Sequence, residues 1–184
     1  TRRATAPRKR ALATNVNGAR ELVELALAAR DLERLVIWSA ASVSGARKGY
    51  VFENELRAPA GFRSAVEESL FRAERLVRET MHRIPTTILR PSLIVGDSTT
   101  GALEHLEGPY LLVQLMLSAP PDLRIPIPAR PNIPLHLVPI DYVVDAGLAI
   151  LRDPRSLGQT FHLVDPHPES VAKVFEILAR ATGR

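Results

Sequence analysis

Apolar and polar positions along the chain follow helical and extended periods in turn. Residues 15–30, NVNGARELVELALAAR after Thr14, carry apolar side chains at helical spacing, and the apolar run RLVIWSA after them predicts a buried strand. Helices are also predicted at residues 62–83 and in GPYLLVQLMLSA, DYVVDAGLAILRD (capped by Asp141) and ESVAKVFEILARA. Strands are predicted in TTILRPSLIVG and QTFHLVD. This alternation is typical of an α/β fold with a mainly parallel sheet.

Two segments lack such periodicity. ASVSGARKGYVFENELRAPAG predicts a loop of about twenty residues, a length that is more often functional than idle in a compact domain. LRIPIPARPNIPLHLVPI, broken by prolines, predicts an extended and irregular segment. The regular part of the sheet is therefore expected to be followed by a less regular C-terminal part.

The positive charge lies at the N-terminus. The chain of 184 residues has a net charge of +4, but five basic residues lie among the first ten, so the rest carries +4 less +5, or −1. No aromatic residues are interleaved with them to stack on bases, so a nucleic-acid partner is not expected. We interpret residues 1–12 as a flexible, solvated arm.

Composition excludes several classes of protein. With no cysteine, the chain has no disulfide, thiolate metal site or cysteine nucleophile, which fits a cytoplasmic protein. It has no apolar run of 18 residues and no signal-peptide core, so we expect no membrane association. No metal site is expected either, because the histidines show no ligand spacing; they are His82, His105, His136, His162 and His167.

Six segments, taken in order, resemble the signatures of a known superfamily. They are NVNGARELVELA, RLVIWSAASVSG, GFRSAVEESLFRAERLVRE, TTILRPSLIVGD, LVPIDYVVDAGLAIL and GQTFHLVDP. They are similar to the extended short-chain dehydrogenases/reductases of the NAD(P)-dependent epimerase/dehydratase type, and most similar to the thioester-reductase, or male-sterility, branch. The resemblance implies a partial Rossmann-like, doubly wound sheet at residues 13–100. It implies a smaller substrate-side region at 101–184, interleaved with the sheet in one domain of 1–184.

The catalytic positions of the family are apolar in this chain. In the family a serine or threonine acts with a tyrosine and with a lysine four residues further on, whose charge lets the phenol transfer a proton at neutral pH. The resemblance matches the hydroxyl to Ala40, with Ser39 and Ser42 as neighbours, the tyrosine to Val66 and the lysine to Leu70. No catalytic residue of that set is therefore intact.

A relocated catalytic pair is the alternative. Tyr50 and Lys48, near Ser44, are the close candidates, but a spacing of two residues does not place them on one helical face. We expect Tyr50 to pack as a loop anchor and Lys48 to be solvated.

The cofactor-binding signature is incomplete. No glycine-rich phosphate turn occurs, and the chain starts where the family leaves its fourth strand, so the isolated chain is not expected to bind NAD(P) although the family does. By resemblance, the nicotinamide side keeps Asn15 and the turn of Arg90, Pro91 and Ser92.

Three residues are assigned to the substrate side by the same resemblance. They are Gly96, Asp97 and His136. The structural alternative is that Pro91 ends a strand and Asp97 starts a turn.

These observations leave three functional hypotheses. The chain is a fragment or divergent form of an oxidoreductase without redox activity of its own, a non-catalytic binding or scaffold module, or the C-terminal part of an active acyl-thioester or carbonyl reductase. We expect a homodimer or a complex with a chain that carries the absent half, because a sheet lacking its first strands exposes an edge. An acyl or other small molecule is the expected ligand.

Overall fold

The computed structural model describes residues 7–103, 109–120 and 130–183. The helices are α1 (Arg8–Leu12), α2 (Gly18–Ala28), α3 (Ala65–Thr80), α4 (Pro109–Ser118), α5 (Ile140–Arg152) and α6 (Val171–Ala181). The strands are β1 (Leu35–Trp38), β2 (Thr86–Pro91), β3 (Leu93–Val95), β4 (Leu137–Pro139) and β5 (Thr160–Leu163). The predicted alternation of helix and strand is confirmed.

The chain divides into two compact units. The sequence predicted one domain, in which a Rossmann-like part ends at residue 100 and a substrate-side region follows. The first unit comprises Thr1–Ser92 and Val143–Leu163, and the second comprises Leu93–Tyr142 and Val164–Arg184. The boundary falls earlier because TTILRPSLIVG, predicted as one strand and its exit, is two strands that belong to different sheets. Pro91 lacks a backbone N–H and ends β2, and Ser92 donates its N–H to the Leu163 carbonyl.

The first unit contains a three-stranded sheet in the order β1-β2-β5. Both pairs are parallel, with Ile37 opposite Ile88 and Arg90 opposite His162. All six residues of β2 are buried, as expected for the central strand of a covered parallel sheet. The prediction of a mainly parallel, Rossmann-like sheet is confirmed.

The first helical segment starts earlier than predicted. It begins with α1 at Arg8, continues through a π-helical turn (Ala13–Asn17) and ends with α2. Ala11 is fully buried, and Arg8 forms two hydrogen bonds, through Nε and Nη2, with the Glu68 carboxylate. The prediction of a flexible arm is wrong for residues 8–12, because packing on α3 and a partner sixty residues away fix them; residues 1–6 lie outside the described residues.

Helices α2 and α3 bury their apolar faces in one cluster with the sheet. The cluster consists of Val23, Ala26, Leu35, Val77, Ile84 and Ile88. Helix α3 begins after Ser64, whose hydroxyl accepts the Glu67 N–H, while the Glu67 carboxylate accepts the Arg63 N–H. These two hydrogen bonds at the first turn stabilise the helix start.

Gly147 of α5 allows the helix to approach β1 closely. A Cβ atom at this position would lie 3.0 Å from Cη2 of Trp38. The indole therefore packs directly on the glycine.

The second unit contains the parallel pair β3-β4, with Leu93 opposite Leu137. An isolated antiparallel bridge joins Pro134 to Ser170, whose hydroxyl caps α6 by accepting the Lys173 N–H. The proline-broken segment contains β4, while its residues 123–129 lie outside the described residues.

No helix among the described residues is long and apolar enough to cross a membrane.

Candidate functional site

The hydroxyl position predicted at the end of β1 is occupied by a half-buried alanine. Ala40 has extended backbone geometry and precedes a 3-10 turn (Ala41–Ser44). Its neighbour Ser39 points to α3, where its Oγ donates a hydrogen bond of 2.6 Å to the Glu74 carboxylate. Ser42 is half-buried, and its carbonyl accepts the Gly45 N–H at 2.9 Å. Ser39 is thus committed to a structural contact.

Helix α3 presents the two positions matched to the tyrosine and lysine. Val66 is 7% exposed and Leu70 is half-buried, so the valine is a core residue. Between them, Ser69 is fully buried and donates to the Val66 carbonyl at 2.8 Å, and it accepts a hydrogen bond of 2.8 Å from Asn15 Nδ2. Asn15 lies in the π-helical turn, so this turn is joined to α3 beside the altered positions.

The alternative pair in the loop does not form a site. Tyr50 is 89% exposed, so its predicted role as a packed loop anchor is wrong, whereas Lys48 is exposed as predicted. The Ser44 hydroxyl donates to the Ala41 carbonyl within its own turn.

A buried ion pair lies directly behind the matched positions. Glu74 of α3 and Arg90 of β2 are 1% and 0% exposed, and Arg90 Nη2 lies 2.5 Å from Glu74 Oε1. Arg90 Nε lies 3.0 Å from Glu74 Oε2. Burial alone would raise the pKa of Glu74, but the hydrogen bonds and charge of Arg90, together with Ser39 and Arg78, hold this pKa below its usual value.

The remaining donors of Arg90 also face protein. Nη2 donates to the Glu55 carbonyl at 2.9 Å, and Nη1 approaches the Glu53 carbonyl at 3.5 Å and His162 Nε2 at 3.1 Å. The Arg90 guanidinium is therefore fully buried among protein acceptors, and the assignment of the Arg90–Ser92 turn to the nicotinamide side stays a prediction.

Arg78, one helical turn after Glu74, extends this network towards the loop. Its Nε donates to Glu74 at 2.9 Å, and Nη1 donates to the Asn54 carbonyl at 3.0 Å. Its Nη2 donates to the Glu53 carbonyl at 2.8 Å and to Thr160 Oγ1 at 2.9 Å. Two arginines therefore fix the backbone of residues 53–55 against the sheet.

Pro91 and Ser92 complete the predicted nicotinamide-side turn. Pro91 is the last residue of β2, in agreement with the alternative that this proline ends a strand. Ser92 Oγ is buried and has no hydrogen-bond partner among the described residues. An unpaired buried hydroxyl is costly, so Ser92 is the one member of this turn with an uncommitted polar atom.

The predicted substrate-side residues lie in the second unit, and the structure does not bring all of them together. Gly96 and Asp97 follow the carboxyl end of β3, and His136 precedes the amino end of β4. Because these strands are parallel and in register, His136 lies at the opposite end of the pair from Gly96 and Asp97. The His136 side chain is exposed, and its carbonyl accepts the Leu93 N–H.

Asp97 organises a turn. Its Oδ1 accepts the N–H groups of Thr99 and Thr100 at 3.0 and 2.7 Å and the Thr100 hydroxyl at 2.9 Å. The hydrogen bonds from Thr100 are the main cause that lowers the Asp97 pKa. Gly96 donates its N–H to the Tyr110 hydroxyl at 2.6 Å. The alternative that Asp97 starts a turn agrees with this geometry.

The turn is also attached to α5. Asp141, predicted to cap this helix, lies in its first turn after Ile140 and accepts both the N–H and the hydroxyl of Ser98, at 2.9 and 2.6 Å. These bonds from Ser98 lower the Asp141 pKa.

The residues present do not fit a whole dinucleotide. The unpaired Ser92 Oγ is compatible with a polar group on the nicotinamide side, but no glycine-rich turn in the sequence can hold a pyrophosphate. A Cβ at Gly96 would meet the Ala102 carbonyl at 2.8 Å, so that glycine accommodates protein backbone rather than a phosphate. No cluster of three potential metal ligands occurs among the described residues.

Sequence reasoning missed the partners of Glu74. A carboxylate on the buried side of an amphipathic helix and an arginine in an otherwise apolar strand are each costly alone. Together, Glu74 and Arg90 in the sequence were a signal for a buried pair. His162 and Glu53 carried no comparable signal, because their contacts depend on the path of the loop.

Comparisons with known proteins agree with the sequence resemblance. The model of a NAD-binding family described as male sterility protein matches residues 1–147. The nonribosomal peptide synthetase FrzA of a Cladobotryum species is 37% identical over 100 residues, which are 54% of this chain and 9% of that protein.

Solved structures share the fold over most of the chain. The terminal R domain from the myxalamid PKS-NRPS biosynthetic pathway aligns with 98% of this chain and 45% of its own at 30% identity and a TM-score of 0.84. UDP-glucuronic acid 4-epimerase from Bacillus cereus, in complex with NAD, aligns with 92% of this chain and 52% of its own at 20% identity and a TM-score of 0.74. The chain thus spans about half the length of these solved structures. It belongs to the male sterility protein family of NAD-binding domains, within the extended short-chain dehydrogenases/reductases.

Proposed function

We propose that this chain is a divergent member of its reductase-related family that does not itself catalyse a redox step and acts as a binding module. The observation that carries the proposal is the apolar pair on α3, Val66 and Leu70, at the positions matched to the proton-donating tyrosine and its lysine. Neither side chain has a proton to give or a charge to stabilise a phenolate. Val66 is also buried, so its place is filled by packing rather than left open.

The second candidate is the C-terminal part of an active acyl-thioester or carbonyl reductase. The similarity to a terminal R domain over 98% of the chain supports this candidate. In that case a separate segment supplies the phosphate-binding half and the proton donor, and the ligand is an acyl thioester or a carbonyl compound.

Titration of the chain with NADPH, followed by its fluorescence, tests the first candidate. For a binding module we expect no saturable binding in the micromolar range, since the residues present supply no pyrophosphate cradle. Saturable binding by the chain alone would contradict the first proposal. The second candidate predicts binding only when the chain is joined to a phosphate-binding half. Addition of an acyl thioester and NADPH to the chain alone then tests turnover by absorbance, with none expected.

Restoration tests the assigned positions. Ala40→Ser, Val66→Tyr and Leu70→Lys, combined in a protein fused to a phosphate-binding half, should give detectable turnover. The matched control keeps Ala40→Ser and moves the other two changes by one helical position, to Glu67→Tyr and Phe71→Lys. Equal activity in both proteins would mean that the assignment is out of register.

We also propose that the chain associates through the outer edge of β1, as a homodimer or with a chain that carries further strands. Among the described residues no strand pairs with that edge, and Trp38 on β1 is 42% exposed. An unpaired edge can accept another strand. Sedimentation equilibrium at micromolar concentration should show a mass above that of the monomer, and we expect the interface to bury at least about 1,200 Å². A strictly monomeric, cooperatively unfolding protein would contradict this proposal. Separately, we propose a cytoplasmic location, which the cysteine-free sequence supports.

A further inference from the structure

The long loop after β1 is closed on itself as an Ω-loop. Ala46 donates its N–H to the Gly61 carbonyl at 2.9 Å, so residues 46–61 begin and end at the same place. Arg63 Nη1 donates to the Gly45 carbonyl at 2.6 Å and fixes the base. The two ends of the loop therefore meet, as is typical of an Ω-loop.

The Ω-loop covers the outer edge of β5. This strand pairs with β2 on one side, and on the other side His162 donates its backbone N–H to Glu53 Oε1 at 2.6 Å. Arg78 joins the Glu53 carbonyl to the Thr160 hydroxyl at the start of the strand. Without the loop, β5 would present an unpaired edge, which is a template for another strand.

The His162 imidazole lies at the centre of the contacts that hold this loop. Nε2 is 3.1 Å from Arg90 Nη1, and because a guanidinium can only donate, the ring must be neutral and accept at Nε2 for this hydrogen bond to form. The charged groups that face the ring are Arg90 from β2, Glu74 and Arg78 from α3, and Glu53 from the loop. A proton on Nε2 would face the Nη1 donor of Arg90, and it would add a positive charge near those of Arg90 and Arg78.

We propose that residues 46–61 form a latch on the edge of β5, and that the latch opens when His162 takes up a proton. Loss of the hydrogen bond from Arg90 displaces a guanidinium that also approaches the Glu53 carbonyl and donates to the Glu55 carbonyl. The middle of the loop then keeps its contacts with Arg78 and the bond from the His162 backbone N–H to Glu53, and this weaker attachment lets the loop leave the edge of β5.

The direction of the pH effect follows from the surroundings of the ring. Burial is the main cause that lowers the His162 pKa, Arg90 and Arg78 lower it further, and the carboxylates of Glu53 and Glu74 oppose them. The closed latch therefore binds a proton more weakly than the open loop. Closure is complete above the ordinary histidine value of about 6.5 and is lost as the pH falls below it.

Hydrogen exchange of the whole chain, measured by mass spectrometry at pH 7.5 and pH 5.0 and corrected for the intrinsic rates, tests the latch. One linked proton changes the opening equilibrium by at most tenfold per pH unit, so opening of residues 49–56 should increase about 3- to 30-fold at pH 5.0. Peptides from α2 should keep their protection, which separates latch opening from global unfolding. His162→Gln should remove the pH dependence, because the amide accepts from Arg90 without titrating.

His167→Gln is the matched control, since His167 is exposed and its exchange profile should equal that of the unchanged protein. Equal protection of residues 49–56 at both pH values would overturn the proposal. A pH dependence that persists in His162→Gln would do the same. If that variant is unfolded by circular dichroism, His162→Asn replaces it with the same two outcomes.

Discussion

Glu74→Gln should destabilise the fold strongly, because it leaves Arg90 charged and buried without a counter-charge. The Glu74 carboxylate accepts hydrogen bonds from Ser39, Arg78 and Arg90, and its side chain is 0% exposed. Removal of one partner of a buried pair typically costs about 3–5 kcal/mol of the free energy of unfolding. For a chain of this size, that corresponds to a fall in Tm of about 6–20 °C.

Urea unfolding followed by the fluorescence of Trp38, the only tryptophan, measures this loss. The control is Glu79→Gln on the same helix, where the Glu79 side chain is 64% exposed and its carboxylate lies 3.9 Å from Arg75. That surface pair should contribute less than about 1 kcal/mol. The double change Glu74→Leu with Arg90→Met should be less harmful than Glu74→Gln, since no charge then remains buried. A loss below about 1 kcal/mol in Glu74→Gln would refute the interpretation of a critical buried pair.

Two further predictions concern single positions. Gly45→Ala should lower Tm more than Gly49→Ala: both have positive φ, but a Cβ at Gly45 would lie 2.1 Å from the Gly61 carbonyl oxygen, whereas one at Gly49 meets nothing within 4 Å. Equal Tm values would contradict the close approach at the loop base. Asp153, which receives hydrogen bonds from Arg155, should titrate with a pKa of about 2 in carboxyl-carbon NMR, and an ordinary value near 4 would show that the pair is absent in solution.

The elements with clear periodicity could be predicted from sequence. β5 and α6 were predicted correctly because the apolar residues of QTFHLVD and of ESVAKVFEILARA each follow a single period, and polar residues flank both segments. The arm was mispredicted because the pairing of Arg8 with Glu68 joins residues sixty positions apart. No local pattern contains such a contact.

The sequence identifies the segments that carry the residues of the candidate site, but it does not predict the contacts that these residues make. The sequence shows that Glu74 lies in α3 and Arg90 in β2, but their ion pair follows only from the packing of α3 on β2. His136 was assigned to the same side as Asp97, and the parallel register of β3 and β4 separates them. Sequence order fixes which residues a strand carries, whereas the distance between two strand ends depends on pairing.

On α3, the residues that match the family pattern (Ser69 and Glu74) and those that depart from it (Val66 and Leu70) differ in their contribution to the stability of the fold. Ser69 and Glu74 form hydrogen bonds that connect α3 to the π-helical turn and to β2, and losing Glu74 would leave the buried Arg90 without its counter-charge. Val66 and Leu70 satisfy no such partner, and an apolar side chain at a buried helical position contributes packing. Folding alone therefore requires the hydrogen-bonded frame of the helix, whereas a tyrosine and a lysine at positions 66 and 70 are required only where proton transfer is. The intact frame of the helix, together with the apolar side chains of Val66 and Leu70, therefore supports the proposal that this chain keeps a stable fold without proton transfer at these two positions.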